Sequence, residues 1–272
     1  MKKILCPTDF STTSYNAIAF AAKLAQVTKC DLTLLNVQSV FDYTPAELVT
    51  GKEFTLKEIS ERLQAQCKEV SNEFKITCTA MVEATYHQLS SAISEQSHTY
   101  DLVVMGSNGP DDLYQFFLGT NTYNALTKSK TPFFLVPDGV LYSEIKKMVF
   151  AFDYLRERKL PMDPLLNFAK AVNCELTILQ VMEEAYSQEA EKDLQELQFI
   201  LKNSQDLSVP ITFDTIRGSS IAQRIDFYMV DNQPNALALC SLHRNFIQNI
   251  FHKSIIKNIS VVSSYPVFVF HE

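Results

Sequence analysis

Cys30-Asp31-Leu32-Thr33-Leu34-Leu35-Asn36-Val37 returns as Cys174-Glu175-Leu176-Thr177-Ile178-Leu179-Gln180-Val181, 144 residues farther along. The same shift lays Lys3-Ile4-Leu5-Cys6-Pro7-Thr8-Asp9 over Lys147-Met148-Val149-Phe150-Ala151-Phe152-Asp153. Later in each copy the shift falls to 134: Phe117-x-x-Thr120 matches Phe251-x-x-Ser254, and Thr131-Pro132 matches Tyr265-Pro266. Copy two is therefore expected to be ten residues shorter between its second strand and Gly218, with Gly218 standing where copy one has Ala84. The chain is one unit written twice.

Halving 272 residues gives two units of ordinary single-domain size, each able to bury a core. An apolar content of 46% without long low-complexity tracts argues against disorder. With a net charge of −7 and thinly spread Lys and Arg, no basic stripe offers a nucleic-acid partner a footing. No apolar run approaches the roughly 20 residues that span a bilayer, and the few apolar residues between Lys3 and Pro7 are too short for a signal-peptide core. The six cysteines show no Cys-x-x-Cys spacing, and Cys6, Cys30 and Cys174 sit in apolar strand patterns. Reduced, buried thiols in a cytoplasmic protein with no membrane contact are the expectation.

Both copies alternate strand and helix. In copy one, strands are expected at Lys3 to Cys6, Leu32 to Val37, Ile76 to Val82, Leu102 to Met105 and Pro132 to Val136. Helices are expected at Ser11 to Val27, Leu56 to Phe74, Tyr86 to Gln96 and Asn121 to Lys128, the first with Ala17, Ile18, Ala21, Ala22, Leu24 and Ala25 at helical spacing. Strands separated by helices pair in parallel through right-handed crossovers. The fold class is therefore α/β, as two tandem, doubly wound, Rossmann-like sheets of five mainly parallel strands. Residues 1–138 form the first domain, 139–144 a linker and 145–272 the second. Val267 to Phe270 is apolar and β-prone, a hazard if left as an open edge. It is expected to meet Phe133 to Val136 across a pseudo-twofold axis, pairing the domains within the chain. A further homodimer stays open.

Half of the six glycines fall in one stretch of copy one: Asp101-Leu-Val-Val-Met-Gly106-Ser-Asn-Gly109, nine further residues, then Gly119-Thr120. An apolar strand running into Gly-x-x-Gly, followed by a helix start, suits a phosphate cradle, because glycine lets backbone N–H groups approach an anion closely. It is no P-loop, since no Lys follows Gly119, and no Gly-x-Gly-x-x-Gly turn. Copy two has lost all three glycines.

Pro7-Thr8-Asp9-Phe10-Ser11 after the first strand, taken with Gly106-x-x-Gly109 and Gly119-Thr120 after the fourth, resembles the universal stress protein family, in particular its nucleotide-binding branch and its tandem members. The resemblance implies an adenine nucleotide, ATP foremost with ADP or AMP as alternatives, at the C-terminal ends of strands one and four, where strand order reverses. It places Pro7, Thr8 and Asp9 near the adenosine and Val37 beside the base. Met105, Gly106 and Gly109 would follow the ribose and phosphates, and Gly119, Thr120 and Asn121 would cradle the terminal phosphates. The implied role is a stress-response sensor or regulator. The sequence departs from an ideal anion site: Ser107, Asn108, Asp111 and Asp112 occupy the loop, and no Lys or Arg precedes Lys128. Mg or Mn is therefore expected to assist.

Asp9 serves equally well as a helix N-cap, a duty that copy two could keep with Asp153. Cys240, His243 and Lys253 replace the glycines in copy two, with Arg244 and His252 adjoining; a closed zinc site lacks a secure fourth ligand there, and these side chains are expected to fill a degenerate pocket. Tyr114, Phe116 and Phe117, like Phe246, Ile250 and Phe251, fit a core stripe. No nucleophile–base pairing is legible, so at most slow ATP hydrolysis is expected. Two alternatives stand beside nucleotide binding: a ligand-free interaction scaffold, and an adenine-nucleotide enzyme such as an adenylating ligase.

Overall fold

The computed structural model describes residues 1–39, 52–107, 119–152, 162–182, 209–217, 221–240 and 264–271, with isolated positions at 192, 195 and 198. The chain divides into two compact units, the first comprising Met1–Gly109 with Leu118–Tyr142 and the second built on Ser143–Glu272.

The first unit opens with β1 (Lys3–Pro7), an apolar run buried from Ile4 onward, as a strand covered on both faces must be. Helix α1 (Thr12–Thr28) starts where the Ser11 Oγ accepts the Ser14 N–H at 3.2 Å, and it buries Ala17, Ile18, Ala21, Ala22, Leu24 and Ala25 along one stripe. It ends at Lys29, which turns left-handed at φ 57 and returns its N–H to Ala25. Then follow β2 (Asp31–Ser39), α2 (Lys52–Phe74), β3 (Cys78–Thr85), α3 (Leu89–Ser97), β4 (Leu102–Ser107), α4 (Gly119–Lys128) and β5 (Phe133–Pro137). The strands run β3-β2-β1-β4-β5, all pairs parallel. The chain walks outward from β1 to β3 and then returns past β1 to β4, so strand order reverses between β1 and β4. Right-handed crossovers put α1 and α2 on one face and α3 and α4 on the other; within each pair the helices pack together.

The second unit repeats this plan with β6 (Lys147–Phe152), α5 (Met162–Val172), β7 (Glu175–Met182), β8 (Ile211–Arg217), α6 (Ile221–Asn232), β9 (Ala236–Cys240) and β10 (Val267–Phe270). Its strands run β8-β7-β6-β9-β10, again parallel throughout. The likeness reaches single bonds. The Thr33 and Thr79 hydroxyls meet at 3.0 Å across β2 and β3, and Thr177 and Thr212 do so at 3.0 Å across β7 and β8. Asp101 Oδ2 accepts the Lys2 and Lys3 amides at 2.6 and 2.9 Å, as Asn235 Oδ1 accepts those of Lys146 and Lys147 at 2.9 and 3.0 Å. Asn173, the counterpart of Lys29, is left-handed at φ 54.

One equivalence needs correction. Thr33 pairs with Thr79 and Thr177 with Thr212, so the shift at β8 is 133, and copy two is eleven residues shorter there, regaining one before β9. Ala84 lies opposite Gln38 as Arg217 lies opposite Met182, so Ala84 corresponds to Arg217 and not to Gly218. Side chains alternate along a strand, so the hydrogen-bond ladder fixes register where a count between distant markers slips by one.

Candidate functional site

The C-terminal ends of β1 and β4 lie side by side, through the pairings Ile4–Leu102 and Leu5–Val103. Beyond β1 the chain must leave the sheet within a few residues to enter α1, and polar side chains shape that exit. The Thr8 N–H still bonds to the Leu35 carbonyl at 2.8 Å, while the Thr8 carbonyl accepts the Asn36 Nδ2 at 2.7 Å. Thr8 is buried, and its Oγ1 lies 3.0 Å from the Ser14 Oγ while accepting the Phe10 N–H at 3.2 Å. Since the Ser14 hydroxyl donates to the Ser11 carbonyl at 2.9 Å, Thr8 is the donor in their contact.

Phe10 adopts φ 62, a left-handed conformation that crowds Cβ of a bulky residue and costs about 1–2 kcal/mol. Asp9 precedes it and is exposed, and its Oδ1 accepts the Ser11 N–H at 3.0 Å. The helix cap is thus Ser11, and Asp9 braces the turn one step earlier. Partial burial by itself raises the Asp9 carboxyl, but hydrogen bonds from the Ser11 hydroxyl and amide outweigh it and hold the group below its ordinary value. Asp9 is an anion at neutral pH.

On β4, Met105 and Gly106 are half-exposed and Ser107 is buried. A Cβ on Gly106 would lie 2.8 Å from Thr13 Cγ2 and 3.0 Å from the Thr13 carbonyl oxygen. Glycine here is a packing necessity, because α1 crosses β4 at this point. The Gly106 carbonyl accepts Thr122 Oγ1 at 3.5 Å, which seats the first turn of α4 on the end of β4. Val37 stands half-exposed near the end of β2. Pro7, Thr8, Asp9, Met105 and Gly106 therefore gather at one place, with Val37 at its flank. Of Gly119, Thr120 and Asn121 the structure describes only the helical backbone that opens α4. Gly109 lies outside the described residues, as do Asp111, Asp112, Tyr114, Phe116 and Phe117.

Two contributors escaped the sequence reading. Asn36 is 1% exposed and clamps the Thr8 carbonyl; a carboxamide directly following the apolar Leu34-Leu35 pair was its signal. Arg62, an exposed residue of α2, stacks its guanidinium over the Phe10 ring with Cζ 4.0 Å from the centroid. Nothing local in the sequence links those two residues.

The equivalent place in the second unit is differently made. Strand β6 continues to Phe152, paired with Gln180, where β1 ends at Pro7. Phe152 is fully buried and stacks on Phe150 at 5.7 Å, and Phe150 meets Phe270 at 5.4 Å. Cys240, in the place of Gly106, is also fully buried. His243, Arg244, Phe246, Ile250, Phe251, His252, Lys253 and Asp153 lie outside the described residues. Among the described residues no three His, Cys, Asp or Glu side chains gather to hold a metal, and no helix is long and apolar enough to cross a membrane.

A family profile described as the universal stress protein family matches residues 1–137. Among solved structures, a universal stress protein from Archaeoglobus fulgidus superposes with a TM-score of 0.73 at 18% identity, covering 99% of this chain and 98% of the other. A putative universal stress protein from Pseudomonas aeruginosa superposes with a TM-score of 0.58 at 12% identity, covering 100% of this chain and 93% of the other. At these identities the likeness speaks for the fold. No curated protein matches the chain significantly.

Proposed function

This chain belongs to the universal stress protein family, and from that premise we propose that its first unit binds an adenine nucleotide, ATP foremost, and works as a stress-response sensor or regulator through that occupancy. The observation that carries this reading is the convergence at the switch point between β1 and β4. Open α/β sheets take ligands in the crevice outside their strand ends at such a reversal, and here the Thr122–Gly106 bond sets the N-terminal end of α4 against it. A helix N-terminus presents unpaired amides and a positive dipole end to an anion.

Each residue then has a task. Asp9, ionised at neutral pH, accepts hydrogen bonds from nucleoside hydroxyl or amino groups, while Pro7, Thr8 and Val37 frame the base and sugar. Met105 and Gly106 line the path toward the phosphates, and Gly109, Gly119, Thr120 and Asn121 cradle them with backbone amides. Because the sequence offers no Lys or Arg between Gly106 and Lys128, Mg or Mn would offset charge on a triphosphate. The reading is one of occupancy rather than turnover. All six cysteines are free thiols, which suits the reducing cytoplasm.

The Thr13 contact gives Gly106 a purely structural reason, and so favours as second reading a ligand-free interaction scaffold. The two separate cleanly. Nucleotide released from purified protein is identified by mass spectrometry, and ATP, ADP and AMP are titrated calorimetrically with Mg or Mn. Binding raises unfolding stability by about 2.7 kcal/mol at a ligand concentration of 100 times Kd, and Gly119→Val abolishes the rise. If no adenine nucleotide binds under any of these conditions, the scaffold reading replaces this one.

A further inference from the structure

The turn after β1 holds a phenylalanine at φ 62, a genuine outlier for a bulky side chain. Its local supports are weak. The Phe10 N–H reaches Thr8 Oγ1 at 3.2 Å, the long end of the hydrogen-bond range, and the next bond, Ser11 N–H to Asp9 Oδ1 at 3.0 Å, belongs to its neighbours. Neither bond restrains the ring. Arg62 does: it comes from α2, remote in sequence, and lays its guanidinium on that ring at 4.0 Å. A planar, permanently charged group on a π face is the arrangement in which arginine outperforms lysine.

A return of Phe10 to an ordinary negative φ would swing the peptide that joins it to Asp9 and detach its amide from the Thr8 hydroxyl. Both Thr8 and Asp9 would then point elsewhere. We infer that Arg62 is a positioning residue of the first unit's site: by pinning the Phe10 ring it locks the left-handed turn that presents Thr8 and Asp9 to a ligand. The functional half of this statement rests on the nucleotide reading above; the structural half does not. Arg62 is exposed, and an exposed stack of this kind adds little to global stability, so a loss of positioning is separable from unfolding.

A double-mutant comparison isolates the effect. Arg62→Ala is expected to weaken ATP binding by about threefold to fivefold while leaving the melting temperature within about 2 °C of the parent, and Arg62→Lys restores only part of the loss. Glycine accepts the left-handed conformation without strain. In a Phe10→Gly background, which lacks both ring and strain, Arg62→Ala should therefore change affinity less than about twofold. An equal loss in both backgrounds overturns the inference, since Arg62 would then act on the ligand by its own charge. So does an unchanged affinity for Arg62→Ala. Amide hydrogen exchange of Phe10 and Ser11 in the full chain covers the case in which the parent binds no nucleotide. Faster exchange at those two amides in Arg62→Ala upholds the positioning role while the nucleotide reading falls. Unchanged exchange overturns the role.

Discussion

At the end of β1 the chain turns off at Thr8; at the end of β6 it runs straight on through Phe152. Thr8 can make that turn because its hydroxyl donates to Ser14 and accepts from Phe10, and its carbonyl is held by Asn36. Phe152 carries no side-chain hydroxyl, and its ring joins Phe150 and, through Phe150, Phe270. The strand between Phe150 and Phe270 is β9, which sets Ala238 opposite Phe150 and Cys240 opposite Phe270, both small side chains. The two units share a scaffold down to threonine pairs and strand-end clamps, yet where one has the Thr8 hydroxyl at its strand end the other has the buried Phe152 ring. Polar atoms without partners are expensive inside a protein, and a ring at this place needs none.

The comparison is broken most easily at its two defining residues. Phe152→Ala should destabilise the second unit by about 3–5 kcal/mol through lost burial and a residual cavity, whereas Thr8→Ala should cost the first unit about 1 kcal/mol for its hydroxyl bonds. Denaturant unfolding monitored separately for each unit checks this, and equal costs would mean that Thr8 is core like its counterpart. Next comes Gly106→Cys, which imports the residue of the second unit. Its Cβ would press on Thr13 at a cost of about 1–3 kcal/mol, and Thr13→Ser, which removes the clashing methyl, should recover part of the loss in the same unfolding experiment.

A smaller effect sharpens the picture of α2. Gln66 is buried with neither amide atom hydrogen-bonded. Gln66→Met keeps the shape and removes that desolvation cost, so the first unit should gain about 1 kcal/mol, read as a higher unfolding midpoint. The smallest effect concerns the shared strand-end clamp. Burial alone would raise the Asp101 carboxyl, but the Lys2 and Lys3 amides outweigh it and hold the group below its ordinary value. A depressed carboxyl contributes stability above its unfolded value, near pH 4, and that contribution is lost as pH falls through the folded value. Asp101→Asn, which copies the Asn235 clamp of the second unit, should cost no more than about 0.5 kcal/mol at pH 7 and should flatten the acid limb of the stability profile below pH 4. A limb unchanged by the substitution would assign the acid sensitivity to other carboxylates.

The duplication, the parallel pairing of the strands and the buried stripe of α1 were legible in the sequence because they are carried by periodicity and by recurrence of whole segments. Boundaries drifted modestly: β4 extends to Ser107, α4 begins at Gly119 and α2 at Lys52, since apolar patterning marks the middle of an element better than its hydrogen-bonded ends. Asp9 was the candidate cap of α1, for a helix expected to open at Ser11, because aspartate suits that position. Backbone geometry decided for Ser11, whose ψ of 165 and bond to the Ser14 amide make the cap, with Asp9 bracing the turn.

Sequence by itself determined that this chain is a tandem α/β protein and that only its first copy keeps glycines after the fourth strand, because strand propensity, helical spacing and glycine's missing side chain are local properties. Tertiary structure alone decided that Gly106 is glycine for the sake of Thr13, that Asn36 clamps Thr8, that Arg62 lies on Phe10, and that Phe152 stacks into an aromatic core. Each of those facts is a contact between residues far apart along the chain, and such contacts exist only once the crossovers have brought helices and strand ends together.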